Sequence, residues 1–310
     1  MIKFLLKRLV LLIPILLGVA FLVFVIMEMT PGSPALMILG PTASQDAIAQ
    51  LNRDFGFDRP FFVRFFDYLI NIITKFDFGN SYNTRAPVVT EILARFPTTF
   101  KFAVLSMIFS SIVGISLGIL SAVRQYSAID TTFTVIAMFF ASIPGFWLGL
   151  MLILIFSLRL GIFPSHGIDS WRSYILPTLT LVCSGSAGLL RITRTAMLET
   201  IRQDYIRTAR AKGVHEHIVI WKHALKNAML PVITVLGSSF GMSLGGAVIL
   251  ETVFSIPGIG QYIVVGIRSK DIPVVMSGTL FLAVMFCLIV LIIDVLYAFI
   301  DPRIKARFAK

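Results

Sequence analysis

The run Leu9-Val10-Leu11-Leu12-Ile13-Pro14-Ile15-Leu16-Leu17-Gly18-Val19-Ala20-Phe21-Leu22-Val23-Phe24-Val25-Ile26-Met27 carries no charged or amide side chain. A helix of about 20 such residues crosses roughly 30 Å of hydrocarbon with its backbone hydrogen bonds satisfied internally. The run exceeds the roughly 7–15 apolar residues of a signal peptide, and Glu28-Met29-Thr30-Pro31-Gly32 follows it where a small-residue cleavage site would stand. It therefore reads as a retained membrane span.

Working outward, five more apolar stretches of similar length lie near Thr98–Val123, Phe133–Leu158, Tyr174–Leu190, Leu230–Leu250 and Val274–Ile300. In the fourth span of the six, Gly185, Ser186 and Gly188 dilute the run and Arg191 closes it. Of the 310 residues 57% are hydrophobic and 14% charged, with a mean hydropathy of +0.89, which excludes a soluble globular domain. The expected fold class is an all-α integral membrane protein with six transmembrane helices. Cys183 and Cys287 fall inside spans and read as small soft hydrophobes, with no disulfide.

A net charge of +11 suggests nucleic acid until the basic residues are sorted by side. With the N-terminus inside, cytoplasmic pieces hold Lys3, Lys7 and Arg8, then Arg124, then eight residues from Arg191 to Lys226, then Arg303, Lys305, Arg307 and Lys310. The short outer loops hold Arg159, Arg172, Arg268 and Lys270. This positive-inside bias places both termini in the cytoplasm, and anionic membrane lipid accounts for part of it. No stacking or groove-reading module accompanies the charge, so no nucleic-acid partner is expected.

The spans divide the chain into an N-terminal helix (1–30), an outer segment (31–97), a core of five helices (98–300) and a cytoplasmic tail (301–310). The outer segment is too long for a turn and is broken by Pro31, Gly32, Pro60, Gly79, Pro87 and Pro97, which predicts a small extracytoplasmic subdomain between helices 1 and 2. Within it Phe61, Phe62, Phe65, Phe66, Tyr68 and Leu69 predict a helical face packed at the membrane interface. A loop at 191–229 reads as two amphipathic helices, Leu198, Ile201, Tyr205 and Ala209 marking one and Ile218, Trp221, Leu225 and Met229 the other. Gly213 breaks them, since glycine takes positive φ without steric cost. Such a helix–Gly–helix elbow suits a docking surface for a partner, and equally a pair of helices lying on lipid.

At this elbow Arg207-Thr208-Ala209-Arg210-Ala211-Lys212-Gly213 resembles the Glu-Ala-Ala-x-x-x-Gly loop of binding-protein-dependent ABC importers, in the variant of dipeptide and oligopeptide permeases. Arg207 stands where the general pattern has Glu and Thr208 where it has Ala. His223-Ala224-Leu225-Lys226-Asn227-Ala228 followed by Pro231 is similar to the peptide branch. Lys7-Arg8-Leu9 with Pro31-Gly32-Ser33-Pro34-Ala35, the pieces Phe55–Pro60 and Asp77–Ser81, and Glu251-Thr252-Val253-Phe254-Ser255-Ile256-Pro257-Gly258-Ile259-Gly260 with Asp271-Ile272-Pro273-Val274 resemble the same permeases in order and spacing. The full outer segment points to the first of the two permease subunits.

This resemblance implies a type I ABC importer permease fold in a bacterial or archaeal plasma membrane. It implies half of a translocation pathway for dipeptides or oligopeptides, with nickel chelates or glutathione as alternative cargo. The implied partners are a second homologous permease, two cytoplasmic ABC ATPase subunits and an extracytoplasmic substrate-binding protein. The elbow would be the coupling helix seated on an ATPase. A phosphate-cradling loop needs Gly-x-x-x-x-Gly-Lys-Ser/Thr, and the chain has no Gly-Lys dipeptide. No cofactor is therefore expected in this chain, ATP and magnesium belonging to the partners.

From turn chemistry alone Pro257, Gly258 and Gly260 specify a turn outside the fifth span, with Glu251 an ionisable group near the interface. The resemblance puts both near the translocation path. Glu28 and Asp294 are the charges nearest span interiors, Asp294 suiting an ion pair with Arg191 or with a partner subunit. Ser142, Gly145, Ser184, Gly185, Ser186, Ser238, Ser239, Gly241, Ser243, Gly245 and Gly246 are small residues for helix contact or pore lining. His215-Glu216-His217 reads as a solvated turn rather than a metal site, since residues two apart on a helix point to different faces. No catalytic set is expected. A stand-alone secondary transporter would show inverted repeats, broken midplane helices and buried carboxylates, and these are not evident.

Overall fold

A computed structural model describes residues 2–40 and 42–300, with the side chains of 2–7, 246, 294 and 296–300 outside that description. Its helices are α1 (Ile2–Met29), α2 (Pro34–Leu39), α3 (Gln45–Phe55), α4 (Phe61–Lys75), α5 (Val88–Val123), α6 (Ala128–Ser142), α7 (Gly145–Leu152), α8 (Ile175–Ile201), α9 (Asp204–Ala211), α10 (Glu216–Ile218), α11 (Leu225–Val253), α12 (Ile259–Arg268) and α13 (Ile272–Ile300). Wider π-helical turns, Ile153–Arg159 and Val219–Ala224, continue α7 and precede α11. The pairing Asn80–Pro87 is an isolated bridge.

Among the described residues five unbroken helical stretches are long and apolar enough to cross a membrane: Arg8–Met29, Val88–Val123, Trp171–Ile201, Glu216–Gly245 and Ile272–Ile293. The sixth is a pair, Ala128–Ser142 and Gly145–Arg159, bent by 97°. The predicted continuous span at 133–158 is thus corrected to a broken one. Pro144 pushes Ile143 into extended backbone (φ −86°, ψ 127°) and offers no amide to continue the helix. α5 also starts earlier than Thr98, carrying Pro97 inside it, with Val88 and Ile92 buried ahead of that proline.

Two compact units emerge, the first comprising Phe100–Ile256 with the end of α13 from Phe286, the second Lys7–Thr99 with Pro257–Met285. In the first, α8 packs against α6, α7 and α11. Gly114 and Gly118, one turn apart on α5, let α8 approach closely. A Cβ on Gly118 would stand 2.6 Å from Thr193 Cβ and 2.8 Å from the Leu190 carbonyl, and one on Gly114 2.6 Å from Leu189 Cβ. α8 does not stop at Arg191. It runs to Ile201 because Thr193, Ala196, Met197 and Thr200 keep a buried face while Arg191 points outward.

At the start of α6, Ser127 Oγ accepts the Asp130 amide at 3.3 Å, and Asp130 is buried. Arg194 grips that carboxylate with Nε at 2.7 Å and Nη2 at 2.8 Å, Ser121 donates its hydroxyl, and the Tyr126 amide donates at 3.0 Å.

In the second unit the aromatic stretch of α4 divides between two faces. Phe61 and Phe65 meet Phe21 and Phe24 of α1 at ring distances of 5.0–6.1 Å, whereas Phe62 and Phe66 point outward with Ile70 and Ile73. The single packed face expected there is corrected accordingly. Glu28 accepts a hydrogen bond from Arg64, a structural ion pair. Lys270 donates to the carbonyls of Thr30 and Gly32, while Asp271 Oδ2 accepts Ser81 Oγ at 2.6 Å, the Asn83 amide at 3.3 Å and Asn83 Nδ2 at 3.2 Å.

Candidate functional site

The elbow is built by a complete glycine stop. The Gly213 amide donates to the Arg210 carbonyl at 3.0 Å and the Val214 amide to the Ala209 carbonyl at 3.2 Å, with Gly213 at φ +73°. Val214 also packs on the cluster containing Ala209, the apolar contact that accompanies such an ending. Across the turn Arg210 holds Glu216 bidentately, Nε–Oε2 3.0 Å and Nη2–Oε1 2.6 Å. Both side chains are well exposed, so this pair fixes geometry more than it adds stability.

One face of the elbow is sunk into the first unit. Ile206 and Ala209 join Ile119 and Ala122 of α5, Ala196 and Met197 of α8, Val219, Ile220 and Ala224 of the π-helical turn, and Ala228 at the start of α11. Arg207, Thr208, Arg210, Ala211, Lys212 and Gly213 are exposed on the other. The expected second stripe is out of register. Ile218 and Trp221 are 45% and 50% exposed, while Val219, Ile220 and Ala224 are buried. The π-helical turn at 219–224 adds about one residue to a turn and rotates the face that a 3.6-residue period assigns. That second helix is also no separate element, since it runs on into α11. Tyr205, predicted to face inward, is exposed and its hydroxyl accepts a hydrogen bond from Asn227 Nδ2 at 2.8 Å.

A second feature of the first unit is a cavity of about 300 Å³ between α5, α8 and α11. Ser106, Ser110, Ser184, Ser239 and Ser243 line it, the Ser106 oxygen itself closed off from the space, with Gly185, Leu181, Leu189, Leu236, Met107, Phe240 and Met242 completing the wall. It has an open side, where Met242 is 70% exposed. Of the small residues named from sequence, Ser184, Gly185, Ser239 and Ser243 meet here. Gly241 instead packs on Phe286, Ser142 and Ser238 bond to the Met138 and Thr234 carbonyls on exposed faces, and Gly145 and Gly245 have open space beside them. Gly246 and the side chain of Asp294 lie outside the described residues.

Glu251 is fully buried within α11 of the first unit, its carbonyl accepting the Ile256 amide at 2.8 Å. Pro257, Gly258 and Gly260 belong to the second unit, where Pro257 lies in the non-helical stretch after α11, Gly258 caps α12 and Gly260 lies in its first turn. Gly258 and Gly260 are buried, and Thr99 Oγ1 accepts the Ile259 amide at 2.9 Å. α12 then lies against α13, Gly266 beside Val274 and Gly278 beside Ile263. Three features escaped sequence reading: the Asp130–Arg194 pair, the Gly114–Gly118 seam, and Ser106 with Ser110. Their signals were Ser127-x-x-Asp130, Gly-x-x-x-Gly and a four-residue serine spacing.

Two family models match, "Binding-protein-dependent transport system inner membrane component" over residues 114–306 and "Binding-prot-dependent transport system membrane comp, N-term" over 1–103. The chain is similar to the glutathione transport system permease protein GsiC of Salmonella typhimurium and of Escherichia coli K12, at 42% identity over 307 residues, covering 99% of this chain and 100% of each relative. Its fold resembles a chain of the MetNI methionine ABC transporter in an inward-facing conformation (TM-score 0.57, 20% identity, 69% of this chain and 98% of that one). An amino acid ABC transporter gives a TM-score of 0.52 at 14% identity, over 69% and 94%. The chain therefore belongs to the binding-protein-dependent transport system inner membrane components, as a multi-pass permease subunit of an ABC importer in the peptide, nickel and glutathione group.

Proposed function

We propose that this permease forms half of a translocation pathway for small peptides, with glutathione-sized peptides as the first cargo to test. The open, hydroxyl-lined cavity between α5, α8 and α11 carries this reading, because a second permease would close its open side and a neutral wall suits solutes that must bind weakly enough to leave. Identity to glutathione permeases over the full chain supports that size of cargo.

Energy would enter at the elbow. A motor in another chain shifts this one only through a contact that differs between its nucleotide states. The exposed face of Arg207–Gly213 offers that contact, and the buried face joins it to α5, α8 and α11, so the three helices would move with it. ATP and magnesium would sit in two cytoplasmic ATPase partners, and an extracytoplasmic binding protein would deliver solute. The positive-inside bias supports an orientation with 191–229 and both termini on the ATPase side.

Gentle purification of the tagged chain from its native membrane, followed by mass spectrometry and uptake of reduced glutathione into proteoliposomes, tests this. A second permease and P-loop ATPases should co-purify, with uptake requiring ATP. A chain that purifies alone and transports without ATP would overturn the proposal.

A further inference from the structure

On another face of α5 and α8 than the serine cavity, the two helices leave a groove of about 570 Å³. Lys101, Leu105, Phe109 and Val113 follow one another at four-residue spacing along α5, and Ile175, Leu179 and Val182 of α8 form the facing wall. From Lys101 to Val113 the stripe rises about 18 Å, close to half of a hydrocarbon core of roughly 30 Å. The groove is open along its length, with Phe109, Leu179 and Trp171 49%, 39% and 72% exposed and Lys101 exposed as well. Charge gathers at one end only. Lys101 Nζ stands 4.5 Å from the centroid of the Tyr174 ring, and Arg172 lies over the Trp171 ring at 5.7 Å. Neither cation makes an ion pair among the described residues. This end is the one nearer the outer segment, which α5 follows.

We propose that this groove seats an acyl chain of a phospholipid of net negative charge, with the Lys101 ammonium pairing with its phosphate. Tryptophan and tyrosine collect at the headgroup level of a bilayer, so Trp171 and Tyr174 put Lys101 at that level. Leu105, Phe109 and Val113 then lie in the hydrocarbon of a single leaflet, the length the stripe matches. Charge complementarity chooses the occupant. A phosphate supplies the counter-charge that Lys101 lacks, and Arg172 beside the mouth adds a second attraction to it. An apolar helix of a second permease seated in the same groove would cover the walls but leave the ammonium unpaired against protein. The site rests on membrane insertion alone and is independent of the cargo.

The test uses the full chain, co-purified with its partner subunits and reconstituted into vesicles of equimolar phosphatidylglycerol and phosphatidylcholine carrying the same acyl chains. Ile112, 57% exposed and next to Val113, takes a photocrosslinker as Ile112→p-benzoylphenylalanine, and the mass of each adduct identifies the neighbour. Phosphatidylglycerol adducts should outnumber phosphatidylcholine adducts about fivefold, the preference that one lysine gives near an anionic surface. Adding Lys101→Gln should bring that ratio to twofold or less, and Lys101→Arg should keep it. A ratio of one with Lys101 in place, a ratio that Lys101→Gln does not lower, or adducts mainly to a second permease would each overturn the site, the last by showing that protein covers the groove. The first and last of these outcomes need no change at Lys101, so the proposal stays refutable even where Lys101→Gln does not assemble.

Discussion

Replacing Gly213 separates conformational strain from steric bulk. At φ +73° the residue is left-handed, yet a Cβ placed there meets nothing within 4 Å. Size should therefore matter little and backbone preference a great deal. An alanine in this region costs about 1 kcal/mol and a β-branched valine about 3 kcal/mol, while asparagine tolerates it better than either. The strain is relieved by giving up the Gly213–Arg210 and Val214–Ala209 bonds, so it lowers the free energy of opening the elbow. Amide exchange across 204–218 should accelerate roughly fivefold in Gly213→Ala and on the order of a hundredfold in Gly213→Val. ATP-driven uptake should fall in the order Gly, Asn, Ala, Val, with membrane insertion intact. Gly213→Ala outperforming the larger Gly213→Asn would refute the strain account, and undiminished uptake by Gly213→Val would refute the coupling role.

Two further outcomes follow from buried contacts. Arg194→Ala strands the Asp130 carboxylate at 6% side-chain exposure and should cost about 3 kcal/mol, read as a lower melting temperature of the purified complex; adding Asp130→Asn should recover part of the loss, and no recovery would show that the charge is not the cause. Gly118→Val should lower expression and melting temperature by pushing α5 off the Leu190 carbonyl and Thr193, whereas Gly145→Ala, with nothing within 4 Å, should match the parent chain.

Span number and helical class were legible because apolar runs of membrane length have few alternative fates. What periodicity could not supply was register near irregular backbone. A π-helical turn at 219–224 turned Trp221 outward, and Pro144 bent a run whose composition is uniformly apolar. Element ends were misjudged for a related reason, since Arg191 can sit inside a helix whenever one face of it reaches water or headgroups. The elbow at Gly213 was readable because positive φ leaves a glycine in the sequence. A third of the cavity wall was readable, as Ser184, Gly185, Ser239 and Ser243 on α8 and α11; Ser106 and Ser110 were not, standing in an otherwise apolar stretch of α5.

Lys270 and Asp271 hold, on adjacent residues, two places in the chain some fifty positions apart: the carbonyls of residues 30 and 32, and the loop at 81–83. Residues 33–80 thus leave and return at a stapled base, like a handle on a suitcase. Lengthening a handle whose ends are already fastened costs little, about 0.6 kcal/mol per doubling of a flexible loop. Within the handle α4 is itself seated on α1 through Phe61, Phe65 and Arg64, so the places for grafting a reporter domain are the loops between its helices, where added length leaves both the staple and that seat untouched.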